Sequence, residues 1–255
     1  HFSAIPNHNV VLKTIAEPLF SENSLPMLVS IEPEADVRQL QVFYPIPDYR
    51  DAYRTNPEGY LGNILGHEGE GSLLSILKAD GLAESLGAGG GLGYRGGALL
   101  GMTIGLTQRG LERRDEFLAR LFQAIELLRR EGPQQALYDE QGHIAAQAFR
   151  FREQISPDRY ARGLSTNMQY YAPADVVRGG YTMDDYRPDL LAELVDHLRP
   201  EQAFIVEIAK GLSTDRNSRY YDTPYRVQAV SEGQLAGWTS ATADARLAIP
   251  AANEF

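Results

Sequence analysis

Cysteine is absent from this 255-residue chain, so it forms no disulfide and offers no thiolate to a metal. Long apolar runs are missing as well: nothing approaches the ~20 residues that span a bilayer, which argues against membrane insertion. Basic residues are in deficit, 24 Lys and Arg against 34 Asp and Glu, for a net charge of −10. That balance argues against non-specific nucleic-acid binding through phosphates and weakly favours neutral or basic partners. Histidine occurs five times, as His1, His8, His67, His143 and His197, and no two of them have the spacing of a His-x-x-Glu-His zinc helix. The chain opens His1-Phe2-Ser3-Ala4, with neither the basic and apolar regions of a secretory leader nor an initiating Met. It therefore reads as a piece of a longer soluble protein whose compartment is open, periplasmic or cytoplasmic if the source is bacterial.

What is present suits one large α+β unit, with 43% hydrophobic residues to build its core. Residues 1–35 hold Pro6, Pro18, Pro26 and Pro33, too closely spaced for a helix, and read as an extended lead-in from a preceding domain. Val37 to Ile46 alternates as a strand that stops at Pro45 and Pro47. Asn56-Pro57-Glu58 has the cap, the first-turn proline and the early acid of a helix start, and Ser72 caps a second helix ended by Gly81. Ala98, Leu100, Met102, Ile104 and Leu106 share one face of a strand. Leu118, Leu121, Phe122, Ile125 and Leu128 recur at helical spacing. A further helix is expected over 133–152, two more start at Ser156-Pro157 and Pro188, and Phe204 to Ile208 alternates as a strand. Strands separated by helix pairs predict an antiparallel-rich β-sheet covered on one face by several helices, over residues 36–230, with 231–255 leading to the next domain.

Two glycine-rich blocks invite chemistry. The first is Gly66-His67-Glu68-Gly69-Glu70-Gly71-Ser72, where a histidine beside a glutamate suggests a metal or phosphate site. Without a second imidazole at zinc spacing, His67 and Glu68 are better read as bonding locally within a glycine-built turn. The second runs from Gly87 to Gly97 and contains a literal G-x-G-x-x-G at Gly91, Gly93 and Gly96. A dinucleotide site needs a helix to follow that motif, and here a strand-like run follows. The expected arrangement is a strand from Glu84 to Gly90 and a hairpin loop from Gly91 to Gly97. Glycines there serve a bend or bulge, or leave the backbone open to pairing with another chain. Arg109, Arg113, Arg114, Arg129 and Arg130 read as a solvated helix face, and the aromatics of Tyr220 to Tyr225 as packing.

Tyr44-Pro45-Ile46-Pro47-Asp48, the stretch from Tyr60 to Gly81, Glu131-Gly132-Pro133-Gln134, Ala148-Phe149-Arg150-Phe151, Arg187-Pro188-Asp189-Leu190, Leu198-Arg199-Pro200-Glu201 and Tyr221-Asp222-Thr223-Pro224-Tyr225 follow in order along nearly the whole chain. Together they resemble the second, zinc-free domain of the pitrilysin/insulysin group of zinc metallopeptidases. The resemblance implies no catalytic residue and no cofactor in this chain, with zinc in the neighbouring catalytic domain. Its partners would be that domain, the C-terminal half of the same polypeptide and peptide substrates. It further implies that the domain helps enclose a degradation chamber and anchors peptide by β-strand addition, through Leu86, Gly87, Ala88, Gly89 and Gly90 with the corner His67, Glu68 and Gly69. The same fold also builds complexes, so a scaffold or assembly subunit without a peptidase role is the rival expectation.

Overall fold

The computed structural model describes residues 3–6, 8, 10–240 and 242–251, which leaves His1 and Phe2 outside. Among the described residues the strands are β1 (Met27–Ile31), β2 (Arg38–Ile46), β3 (Ala83–Tyr94), β4 (Gly97–Leu106), β5 (Phe204–Ala209), β6 (Arg216–Asn217) and β7 (Pro224–Ala229). The helices are α1 (Pro57–Leu65), α2 (Leu73–Ala79), α3 (Gln108–Glu112), α4 (Arg114–Glu131), α5 (Gln135–Arg150), α6 (Pro157–Asn167), α7 (Pro188–His197) and α8 (Glu232–Thr239). One sheet holds all seven strands in the order β3-β4-β2-β5-β1-β7-β6. Its neighbours are antiparallel except β1 and β5, which run parallel.

Period-two patterning sets the register. Leu40, Val42, Tyr44 and Ile46 of β2 lie opposite Ile104, Met102, Leu100 and Ala98 of β4, so one apolar face forms across both strands. All eight are buried, and they join Phe117, Leu118, Leu121 and Ile125 of α4, Leu191 and Leu194 of α7, and Leu61, Leu74 and Leu77 of α1 and α2 in a single core. Each fully buried side chain of this kind stabilises by about 1.5–3 kcal/mol relative to exposure. The opposite face is sparer. Phe43 stacks on Phe204 with ring centres 5.9 Å apart, and Phe20 of the lead-in caps Phe204 at 5.3 Å.

Caps form where the sequence places them. The Asn56 side chain accepts from Gly59 N at 3.2 Å and the Ser72 hydroxyl from Ser75 N at 3.1 Å, although Asn56 sits at φ 48°, in the left-handed region. Ser156 occupies the cap position of α6 without a side-chain cap bond.

Several expectations are corrected. Pro45 lies inside β2, beyond Phe43, where pairing with the first residue of β5 stops, so one side of the strand has no ladder for a proline to break. Residues 27–31 of the lead-in form β1, paired with β5 and β7. The hairpin loop shrinks to Arg95 and Gly96, because β3 continues to Tyr94 through a register shift between Gly90 and Gly93. The arginines are not one solvated face: Arg114 Nη1 donates at 2.8 Å to Glu207, a buried carboxylate on β5, and Arg129 ties α4 to Asp196 and the Val195 carbonyl of α7. Tyr220 and Tyr221 do not pack; they are 83% and 87% exposed beyond β6.

Candidate functional site: an open sheet edge

β3 is the end strand of the sheet, hydrogen-bonded to β4 on one side and to no strand on the other among the described residues. Such an edge presents unused N–H and C=O groups. Here it has few side chains, since Gly87, Gly89, Gly90, Gly91 and Gly93 take up five of its twelve positions. Of the residues singled out from the sequence, Leu86 is buried under the helices, Ala88 is half-buried on the same side, and Gly87 and Gly90 are exposed. Gly89 has φ 155°, a conformation that side-chain-bearing residues rarely adopt.

α1 fixes the position of this strand by approaching it backbone to backbone. A Cβ on Gly62 would stand 2.8 Å from both the Ala88 carbonyl oxygen and Gly89 Cα, and one on Gly66 would stand 3.5 Å from Ala88 N. The glycine corner thus reaches the strand through Gly66. His67, Glu68 and Gly69 satisfy one another and their neighbours: His67 Nδ1 accepts from Gly69 N at 3.0 Å, and Glu68 pairs with Lys78 Nζ at 3.2 Å. A Cβ on Gly69 would overlap the His67 ring, which accounts for the glycine there.

Among the described residues no three His, Cys, Asp or Glu side chains gather where they could hold a metal, and His1 lies outside them. No described helix is long and apolar enough to cross a membrane. What the edge can do is bind another backbone. Sequence reasoning overlooked Gly62 and assigned Glu58 only to the helix start. The available signal was the run Gly59, Gly62 and Gly66 at spacings of three and four in a short helix, where glycine is costly unless a close neighbour requires it.

The class of protein is that of an α+β layer whose sheet ends in a glycine-rich edge strand. Residues 1–142 match the family model "Peptidase M16 inactive domain", and residues 149–255 match "Middle or third domain of peptidase M16". The chain belongs to the peptidase M16 family and lies in its inactive portion, without catalysis of its own. It is 36% identical over its whole length to the insulin-degrading enzyme of Homo sapiens, spanning 25% of that protein. It is 29% identical, again over its whole length, to the A-factor-processing enzyme of Saccharomyces cerevisiae, spanning 25% of it. The chain thus spans about a quarter of the length of the curated relatives it matches. In fold it superposes on the crystal structure of pitrilysin with a TM-score of 0.92 and 22% identity, covering 98% of this chain and 27% of that one.

Proposed function

We propose that this chain is the substrate-anchoring, non-catalytic part of a zinc endopeptidase: it takes an extended peptide onto the outer side of β3 as an added strand and helps wall the chamber in which a zinc-bearing domain cuts. The observation that carries this reading is the unpaired edge of β3, with so few side chains that an incoming backbone meets little obstruction. Strand addition supplies affinity through main-chain hydrogen bonds with little demand on sequence. Leu86 to Gly90 would form the ladder, with His67, Glu68 and Gly69 at its corner. The relatives named above take their names from insulin and A-factor, which fits a peptide as the ligand. The zinc-bearing domain and the C-terminal half of such an enzyme would be its partners.

The test is peptide binding followed by amide hydrogen exchange. Extended peptides are expected to slow exchange at alternate amides within residues 86–90. N-methylation of alternate peptide amides should abolish that protection in one phase and spare it in the other. Protection that ignores N-methylation, or that appears only elsewhere in the chain, sinks the proposal.

A further inference from the structure

The acid on the first turn of α1 is turned onto the edge strand. A side chain built on Gly90 would collide with Glu58 Oε2 and come within 3.3 Å of Glu58 Cδ, so the carboxylate lies directly over that glycine on the helix-facing side of β3. It is half-buried, and no cation or hydrogen-bond donor pairs with it among the described residues. The charge that acts on it, Asp48, has its own sign and holds the nearby Arg50 Nη2 at 3.7 Å, while Glu193 takes the Tyr49 hydroxyl on Oε1 at 3.4 Å. Asp48 is already engaged, accepting from Arg50 N at 3.1 Å and from Gly96 N at 3.2 Å, so Glu58 is the uncompensated charge. Burial first, and Asp48 second, raise the Glu58 carboxyl above its ordinary range. A first-turn acid gains from the helix dipole wherever it points. That gain explains a glutamate at this position, but not its unpaired seat over the strand beside Asp48, which already has Arg50 as its own counter-ion.

We propose that Glu58 is a specificity-determining residue of the docking edge, selecting peptides with a lysine or arginine on the helix-facing side of the added strand at its Gly90 end. The inference rests on strand addition at β3. Side chains facing each other across an antiparallel pair start about 4.5–5.5 Å apart. Opposite Gly90 the stem of a long cationic side chain meets no competing side chain, and its head reaches the carboxylate. The charge-assisted hydrogen bonds so formed are stronger than neutral ones, and docking would supply the cation that Glu58 lacks.

The experiment uses a set of peptides that differ only in a lysine or a glutamine placed in turn at each of four successive positions. Affinity for the wild-type chain and for Glu58→Gln is measured together with amide protection in β3. At one position the lysine peptide should bind the wild type about ten-fold tighter than its glutamine twin. With E58Q that preference should fall below about two-fold while the glutamine peptide is unaffected. Equal affinity of the twins at all four positions, with β3 still protected, overturns the role of Glu58 and leaves strand addition standing. If no peptide protects β3, both fall. Should E58Q lose its fold, the lysine scan on the wild type decides alone.

Discussion

Gly62 shows how one missing methyl group positions the candidate site. With no Cβ, the backbone of α1 settles directly on Ala88 and Gly89, and any larger residue meets backbone atoms that have no rotamer to escape into. Gly62→Ala is therefore expected to cost about 1–3 kcal/mol despite alanine's better helix propensity, and to shift β3 outward. Urea denaturation measures the first effect. Faster amide exchange at Ala88 and Gly89 reports the second, and an unchanged or raised midpoint would refute the packing argument. Neighbouring positions show how unevenly the sequence discloses such details. Ser72 and Asn56 were legible as caps because capping depends on local spacing. The Arg114–Glu207 bond was not, because its partners stand 93 positions apart and either residue alone reads as a solvated charge.

Among the elements, the segment after α8 acts as a strap. Ala248 N donates to the Gly71 carbonyl at 3.0 Å, and Arg246 makes two bonds of 2.9 Å to Asp80 at the end of α2 while also holding Asp244. Arg120 of α4 pairs with the same two acids. The strap thus fastens the glycine corner that leads toward β3. Hydrogen bonds from Arg246 chiefly, with the Arg120 charge adding, hold the Asp80 and Asp244 carboxyls below the usual carboxylate range. Folded pKa values below the unfolded ones mean that the contribution is complete above about pH 4 and is lost as pH falls further. Protection of the Ala248 amide, corrected for intrinsic exchange, should be flat from pH 8 to about 5 and drop below about 4. Arg246→Gln should lower it at neutral pH and flatten the acid step. Of these elements, the strands and helices of the sheet's helical face were legible through their periodicity. The strap and β1 were not, since proline-rich and irregular segments carry no period to read.

At the scale of the molecule, the two matched family segments do not correspond to two structural bodies. β5 and β7 come from the segment 149–255, yet they flank β1, and β5 separates β1 from β2. Residues from both segments share one core. Residues 1–142 alone are thus expected to show no cooperative unfolding in urea, and adding 149–255 in trans should restore a transition. A sharp transition for 1–142 by itself would contradict the shared-core account. The general architecture was readable because burial leaves a pattern along each element. The strand order was not, because parallel pairing of β1 with β5 links positions some 177 residues apart without any local mark.

That pairing has a consequence for the ribosome. Both neighbours of β1 lie far downstream, so the strand at Met27–Ile31 leaves the exit tunnel with nothing to pair with. At about 5–20 residues per second, roughly 10–35 s of translation pass before β5 is complete. Throughout that interval the nascent chain carries a short apolar strand with both edges bare, a ready place for a chaperone to hold or for a neighbouring nascent chain to stick.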